Sequence, residues 1–246
     1  MRARFLWSRA WSALVICAAL SVTLSAQTAA EKTQPPEARW EKEIRAFETA
    51  DKTNPPPQDA ILFIGSSTIR RWTNLAREFP EHKVLNRGFG GSQLSDSVAF
   101  VDRIVTPYKP KLVLLYAGDN DIASGKSPER LLGDFKAFVG RIRAALPETR
   151  IAYLAIKPCP AREQYLNLVK ATNRLIQDYS GSDSRLLFID VFTPMLTKEG
   201  QPRADLYIRD GLHPNAQGYK LWASILRPIL DKYDAPKNGG PTRPSP

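Results

Sequence analysis

The sequence predicts an α/β domain, a parallel sheet covered by helices on both faces. Five short apolar runs, AILFI at 60–64, KVLN at 83–86, KLVLLY at 111–116, RIAYLAI at 150–156 and RLLFI at 185–189, alternate with longer amphipathic stretches. Several of these runs are continuously apolar rather than alternating, as strands buried on two faces require. Strand, helix, strand repeated in this way implies right-handed crossovers. A chain of 246 residues is long enough for one well-buried domain and short for two.

Taken in order, Arg2, Arg4 and Arg9 precede an apolar run from Ala13 to Leu24. That run, about a dozen residues, is too short to cross a bilayer. Small residues follow at Ser25, Ala26, Thr28, Ala29 and Ala30. Residues 1–30 therefore read as a secretory signal peptide cleaved between Ala26 and Ala30, with an uncleaved anchor as the alternative. The mature chain is expected to be secreted or periplasmic, without stable membrane insertion. Cys17 follows Ile16, where lipid attachment needs a small residue. Cleavage leaves Cys159 as the one thiol, so no internal disulfide can form. In the context Lys157-Pro158-Cys159-Pro160 it reads as a packed or loop residue.

Residues 31–58 read as an N-terminal helix and a proline-rich linker. Trp40, Ile44 and Phe47 recur at helical spacing within 37–50 and form one stripe for the body of the domain. Asn54-Pro55-Pro56-Pro57 ends that helix. The main domain spans 59–234, with the five strands above and helices near 68–77, 95–105, 128–146, 162–179 and 216–231. From Ala235 to Pro246 little is apolar, and a disordered tail is expected.

The net charge is +10. Without the three leading arginines, 32 basic residues face 25 acidic ones, a net +7. The basic residues are scattered, and the one tight pair, Arg70-Arg71 beside Trp72, is too little for a nucleic-acid stripe, so no nucleic-acid partner is expected. General attraction to anionic surfaces is the more modest consequence. The pair could line the mouth of a site at the preceding serines, although a solvated helix face with Trp72 packed beneath is the simpler reading.

Four motifs stand at expected carboxyl ends of strands or just before the last helix, where parallel α/β sheets bind ligands. Gly65-Ser66-Ser67 ends the first run. Serine there is either a helix N-cap or a nucleophile. The GxSxG elbow is missing, since Ile69 stands where its second glycine would be. Asn86-Arg87-Gly88-Phe89-Gly90-Gly91-Ser92 follows the second run, either a plain turn or a loop that aims the Gly91 N–H at a developing oxyanion. Gly118-Asp119-Asn120-Asp121 follows the third. Its two carboxylates lack the spacing of a calcium loop, so no metal is expected, while Asn120 is either a turn residue or an amide donor. Asp210-Gly211-Leu212-His213-Pro214-Asn215 holds one of only two histidines. An Asp-x-x-His loop lets the carboxylate accept from one ring nitrogen while the other faces a serine, with an aspartate that merely caps the final turn as the alternative. His82, in Glu81-His82-Lys83, reads as a solvated loop residue.

These four blocks, GSST at 65–68, GFGGS at 88–92, GDND at 118–121 and DGLHPN at 210–215, resemble those of the SGNH hydrolases, or GDSL-like esterases. The likeness runs from about Ala60 to Leu230. It implies a three-layer α/β/α sandwich of flavodoxin-like type with five parallel strands. It also implies a nucleophile at Ser67, oxyanion donors in the backbones of Ser67 and Gly91 and the side chain of Asn120, and an acid and base at Asp210 and His213. Ser66 stands where the family usually carries an aspartate, and the block alignment favours Ser67 over Ser66. The implied activity is hydrolysis of carboxylic esters through an acyl-enzyme, on small-molecule or carbohydrate substrates with a short acyl group such as acetyl, with no cofactor. A lysophospholipase or thioesterase with a longer groove, or a non-catalytic carbohydrate-binding relative, are the alternatives. No residue names the substrate-binding groups.

Overall fold

The structure, a computed structural model, describes residues 36–234. The expected signal segment and C-terminal tail lie outside the described residues. The chain divides into two compact units, residues 1–41 and 42–246. Helix α1 (Pro36–Thr53) enters the second with Ile44 fully buried. Its last turn is tied down by Asp51, which accepts from Arg87 and from the Tyr108 hydroxyl, both at 2.5 Å. The chain leaves the helix at Asn54 and the following prolines.

Five strands, β1 (Ile61–Gly65), β2 (Val84–Gly88), β3 (Leu112–Tyr116), β4 (Arg150–Leu154) and β5 (Leu186–Ile189), form one sheet. They lie in the order β2-β1-β3-β4-β5, and every neighbouring pair is parallel. This is the expected flavodoxin-like arrangement, in which the order reverses between β1 and β3 and opens a crevice beyond their carboxyl ends. Because side chains alternate, Phe63 and Tyr116 face one side, against Trp72 at 5.9 Å and Trp222 at 5.1 Å. Tyr153 and Phe188 face the other, and Tyr153 meets Phe135 at 5.1 Å. Two apolar faces need two helical layers, and the aromatic contacts mark both.

The connecting helices depart from the expected ones in four places. The stretch 68–77 is two short helices, α2 (Ser67–Arg70) and α3 (Leu75–Glu78), rather than one. Between them Trp72 dives into the core, wholly buried among Phe63, Phe79, Tyr219 and Trp222. The stretch 95–105 likewise splits into α4 (Leu94–Ala99) and α5 (Val101–Ile104) at Phe100, buried edge-on to Phe89. A short helix, α6 (Asp119–Ala123), was not expected and begins directly after β3. Helix α7 (Pro128–Ala145) agrees with expectation. The next begins as a 3-10 segment (Pro160–Tyr165) before α8 (Leu166–Ser180), with Arg162 at non-helical angles. Helix α9 (Ala216–Asp234) closes the fold.

The solvated reading of His82 is corrected. Its side chain is 5% exposed, with Nδ1 2.5 Å from Asp234 and Nε2 2.9 Å from Asp231. Both aspartates belong to α9, so the histidine joins the start of β2 to the last helix.

Candidate active site

Gly65 closes β1 at φ 137°, and a Cβ there would stand 1.8 Å from the Tyr116 carbonyl oxygen. Only glycine lets the chain pass so close to β3, and the Ser66 N–H donates to that same oxygen at 3.0 Å. This contact sets the rotation of the next two residues. Ser66 turns inward, fully buried, its hydroxyl without a partner among the described residues, and occupies the N-cap of α2 without making a side-chain cap. Ser67 turns outward and is partly exposed. The two serines, equivalent in composition, thus differ in access.

The loop before α9 reaches Ser67. His213 Nε2 lies 2.8 Å from Ser67 Oγ, and His213 Nδ1 lies 2.6 Å from Asp210 Oδ2. The other Asp210 oxygen accepts from the N–H groups of Leu212 and His213, each at 2.9 Å. Burial works to raise the Asp210 pKa, but the N–H and imidazole of His213 and the N–H of Leu212 outweigh it and hold the carboxyl down to about 2. Asn215 locks the loop's far end. Its amide donates to the Asp205 and Tyr207 carbonyls, and its side-chain oxygen accepts from the N–H groups of Gln217 and Gly218 at the start of α9. Histidine is therefore held by a carboxylate on one side and by a capped helix on the other.

Gly91, at φ 75°, sits on the loop after β2. Among the described residues neither its N–H nor that of Ser67 is taken by an acceptor. Asn120, in the first turn of α6, donates from Nδ2 to the Ser92 carbonyl at 3.0 Å and accepts at Oδ1 from Arg162 Nη2 at 2.9 Å. A carbonyl on one side and a guanidinium on the other admit one orientation of the amide, and leave its second N–H unassigned. All the expected site residues, Ser67, Gly91, Asn120, Asp210 and His213, thus stand on loops or helix starts at the carboxyl end of the sheet or just before α9.

The flanking aspartates of the third motif point elsewhere. Asp119 accepts from Lys157 Nζ at 2.9 Å and from the Tyr116 hydroxyl at 3.2 Å, with Arg162 Nη1 at 3.7 Å. Lys157 is wholly buried. Burial works against both charges, yet Lys157 and Arg162 hold the Asp119 carboxyl below its ordinary range, and Asp119 raises the lysine. Asp121 accepts from the Leu94 N–H and from Lys126. Among the described residues no group of three or more His, Cys, Asp or Glu side chains could hold a metal. Lys157 and Arg162 escaped the sequence reading. A lysine just beyond an apolar run, before Pro158, was the available signal for the first, and nothing local marked the second.

A groove of about 620 Å³ opens beside His213, lined among others by Arg70, Arg71, Ile208 and Tyr219. Trp72 is buried, as the simpler reading had it, and both arginines are exposed along the groove, which fits either a solvated helix face or the mouth of a site. A larger hollow, about 770 Å³, lies over α8 and β5 and includes none of the motif residues.

The chain matches the GDSL-like Lipase/Acylhydrolase family over residues 61–221. It is 26% identical over 159 residues to the Multidomain esterase of Ruminococcus flavefaciens, covering 57% of this chain and 19% of that protein, so the chain spans about a fifth of that relative's length. Among solved structures it resembles a platelet activating factor assignment from Streptococcus pneumonia, at 22% identity and TM-score 0.71, covering 86% of this chain and 99% of that one. It also resembles a carbohydrate esterase family 3 protein from Talaromyces cellulolyticus, at 18% identity and TM-score 0.57, covering 70% and 96%. At these identities the structural likenesses speak for the fold.

Proposed function

Since the chain belongs to the GDSL-like lipase/acylhydrolase family, we propose that it is a carboxylic ester hydrolase, a serine esterase that removes short acyl groups, acetyl foremost, from small-molecule or carbohydrate esters through an acyl-enzyme. The observation that carries the reading is the chain of two contacts, 2.8 Å from Ser67 to His213 and 2.6 Å from His213 to Asp210. His213 Nε2 takes the Ser67 proton as Oγ attacks the ester carbonyl carbon. The carbonyl oxygen becomes an oxyanion, met by the N–H groups of Ser67 and Gly91 and the free N–H of Asn120. Collapse of the tetrahedral intermediate expels the alkoxide, which leaves with the proton from His213. Water, deprotonated by His213, then attacks the acyl carbonyl and regenerates Ser67 and a carboxylic acid.

One feature favours a short acyl group. The stretch 193–209, the longest connection near the site, is pinned by bridges between Leu196 and Pro202 and between Tyr207 and Pro214, and by the Tyr207 hydroxyl on the Pro158 carbonyl, so it is no free lid. The carbohydrate esterase among the structural neighbours and the esterase relative support ester hydrolysis, with a carbohydrate ester as one substrate class. The signal segment read from residues 1–30 supports action outside the cytoplasm, secreted or periplasmic, with no stable membrane insertion and no nucleic-acid partner. A fluorophosphonate probe should label the protein and its Ser66→Ala variant but not Ser67→Ala. Labelling that persists in a folded Ser67→Ala protein removes the nucleophile assignment. In a chain-length series of p-nitrophenyl esters, acetate should be preferred, and a preference for long chains would indicate a lysophospholipase or thioesterase instead.

A further inference from the structure

The groove beside His213 has a chemical character of its own. Arg70 and Arg71 line it, both exposed, and neither makes an ion pair or side-chain hydrogen bond among the described residues. Several other arginines of the domain are paired: Arg87 with Asp51, Arg103 with Glu48, Arg141 with Asp102 and Arg203 with Asp205. None of the residues lining the groove is acidic. Arg70 is also positioned rather than loose, because its guanidinium lies over Gly90. A Cβ on Gly90 would come within 2.8 Å of Arg70 Cζ, so the absent side chain leaves the room that the guanidinium occupies.

Direction follows from the chemistry proposed above, on which this inference rests. The leaving alkoxide must take its proton from His213, so the alcohol lies on the His213 side of Ser67, while the carbonyl oxygen turns toward Gly91 and Asn120. The groove at His213 is therefore the alcohol subsite. We infer that it receives an alcohol carrying a negative charge, a carboxylate or a phosphate, held by Arg70 and Arg71. Guanidinium presents paired donors that match either group, and the net charge of +7 expected without the three leading arginines attracts such a substrate from a distance. Thr73, exposed in the same groove, adds an uncharged hydroxyl that suits a polar alcohol.

Two matched pairs of acetate esters test this. The carboxylate arm compares 4-acetoxybenzoate with its neutral methyl ester, and the phosphate arm compares 1-acetylglycerol 3-phosphate with 1-acetylglycerol. In each arm the anionic-to-neutral ratio of kcat/KM is compared between the native protein and the Arg70→Gln/Arg71→Gln variant, so intrinsic ester reactivity cancels. Two partly exposed pairs are together worth about tenfold, so the ratio should fall about tenfold in the arm that carries the natural charge. Arg70→Lys/Arg71→Lys should keep most of it. In the native protein, raising the salt from about 0.02 M to 0.5 M should shrink the ratio, a readout that needs no variant. A ratio that neither salt nor the glutamine variant moves, in both arms, overturns the inference. Hydrolysis that survives Ser67→Ala would instead overturn the reading of the site.

Discussion

Arg162 is expected to set the rate of acyl transfer through Asn120. The perturbation is Arg162→Met, which keeps the apolar stem and deletes the guanidinium. In the structure the Asn120 amide is held by two bonds, one to the Ser92 carbonyl at 3.0 Å and one from Arg162 at 2.9 Å. Hydrogen bonds to a charged partner are worth about 1.5–3 kcal/mol. The Arg162 side chain is 21% exposed, and water can replace it in part, which argues for the lower end. A loss of about 1.5 kcal/mol in the preference for the productive orientation corresponds to about a tenfold fall in kcat. KM should move little, because the donor matters most when charge has developed on the carbonyl oxygen. Asn120→Ala removes the donor itself and should cost about a hundred- to a thousand-fold. The decisive assay is the double-mutant cycle on p-nitrophenyl acetate, with thermal unfolding of each variant recorded alongside. If Arg162 works through Asn120, adding Arg162→Met to Asn120→Ala should cost almost nothing further. A full tenfold loss in the Asn120→Ala background would refute the argument and show that Arg162 acts independently of the amide.

Other outcomes follow from the same geometry. Asp210→Asn should lower kcat by about four orders of magnitude, at every pH from about 4 upward, by analogy with removal of the triad carboxylate in serine proteases. A full pH–rate profile of the purified variant checks it, and a loss confined to acid pH would contradict the role. Lys157→Met should destabilise the fold by about 3–5 kcal/mol in denaturant titration, since it strands the buried Asp119 carboxylate. Because the Asp119 pKa is lowered in the folded protein, its contribution is present above the unfolded value of about 3.9 and is lost as pH falls through the lower folded value. Without Lys157 the acid-unfolding midpoint should move to higher pH, and a midpoint that stays in place would show that the pair carries no such linkage.

Much of this was written along the chain. The apolar runs announced five strands within one or two residues of their ends, because burial on two faces leaves a continuous hydrophobic signal. Three motifs followed expected strands and a fourth preceded the last helix, and a parallel sheet brings the carboxyl ends of its strands to one edge, so their convergence was implicit in the order of elements. Helix breaks were less legible. At Trp72 and Phe100 the propensity for helix was overridden by the burial of a large ring, a choice made by the core and not by neighbours in sequence.

What the sequence by itself determined was the class of fold and the identity of the residues gathered at its upper edge, since both follow from periodicity and from the parallel arrangement. What only the tertiary structure decided were pairings between side chains far apart in the chain: Arg162 with Asn120 across 42 positions, Lys157 with Asp119 across 38, His82 with Asp234 across 152, and Arg70 over Gly90. The same holds for Ser66 against Ser67, adjacent and chemically alike, of which the backbone turn imposed by Gly65 buries one and presents the other. Backbone pattern is a local property that short windows of sequence encode. The direction of a side chain, and the partner it meets, depends on how distant elements pack, and that is settled only when the whole core has closed.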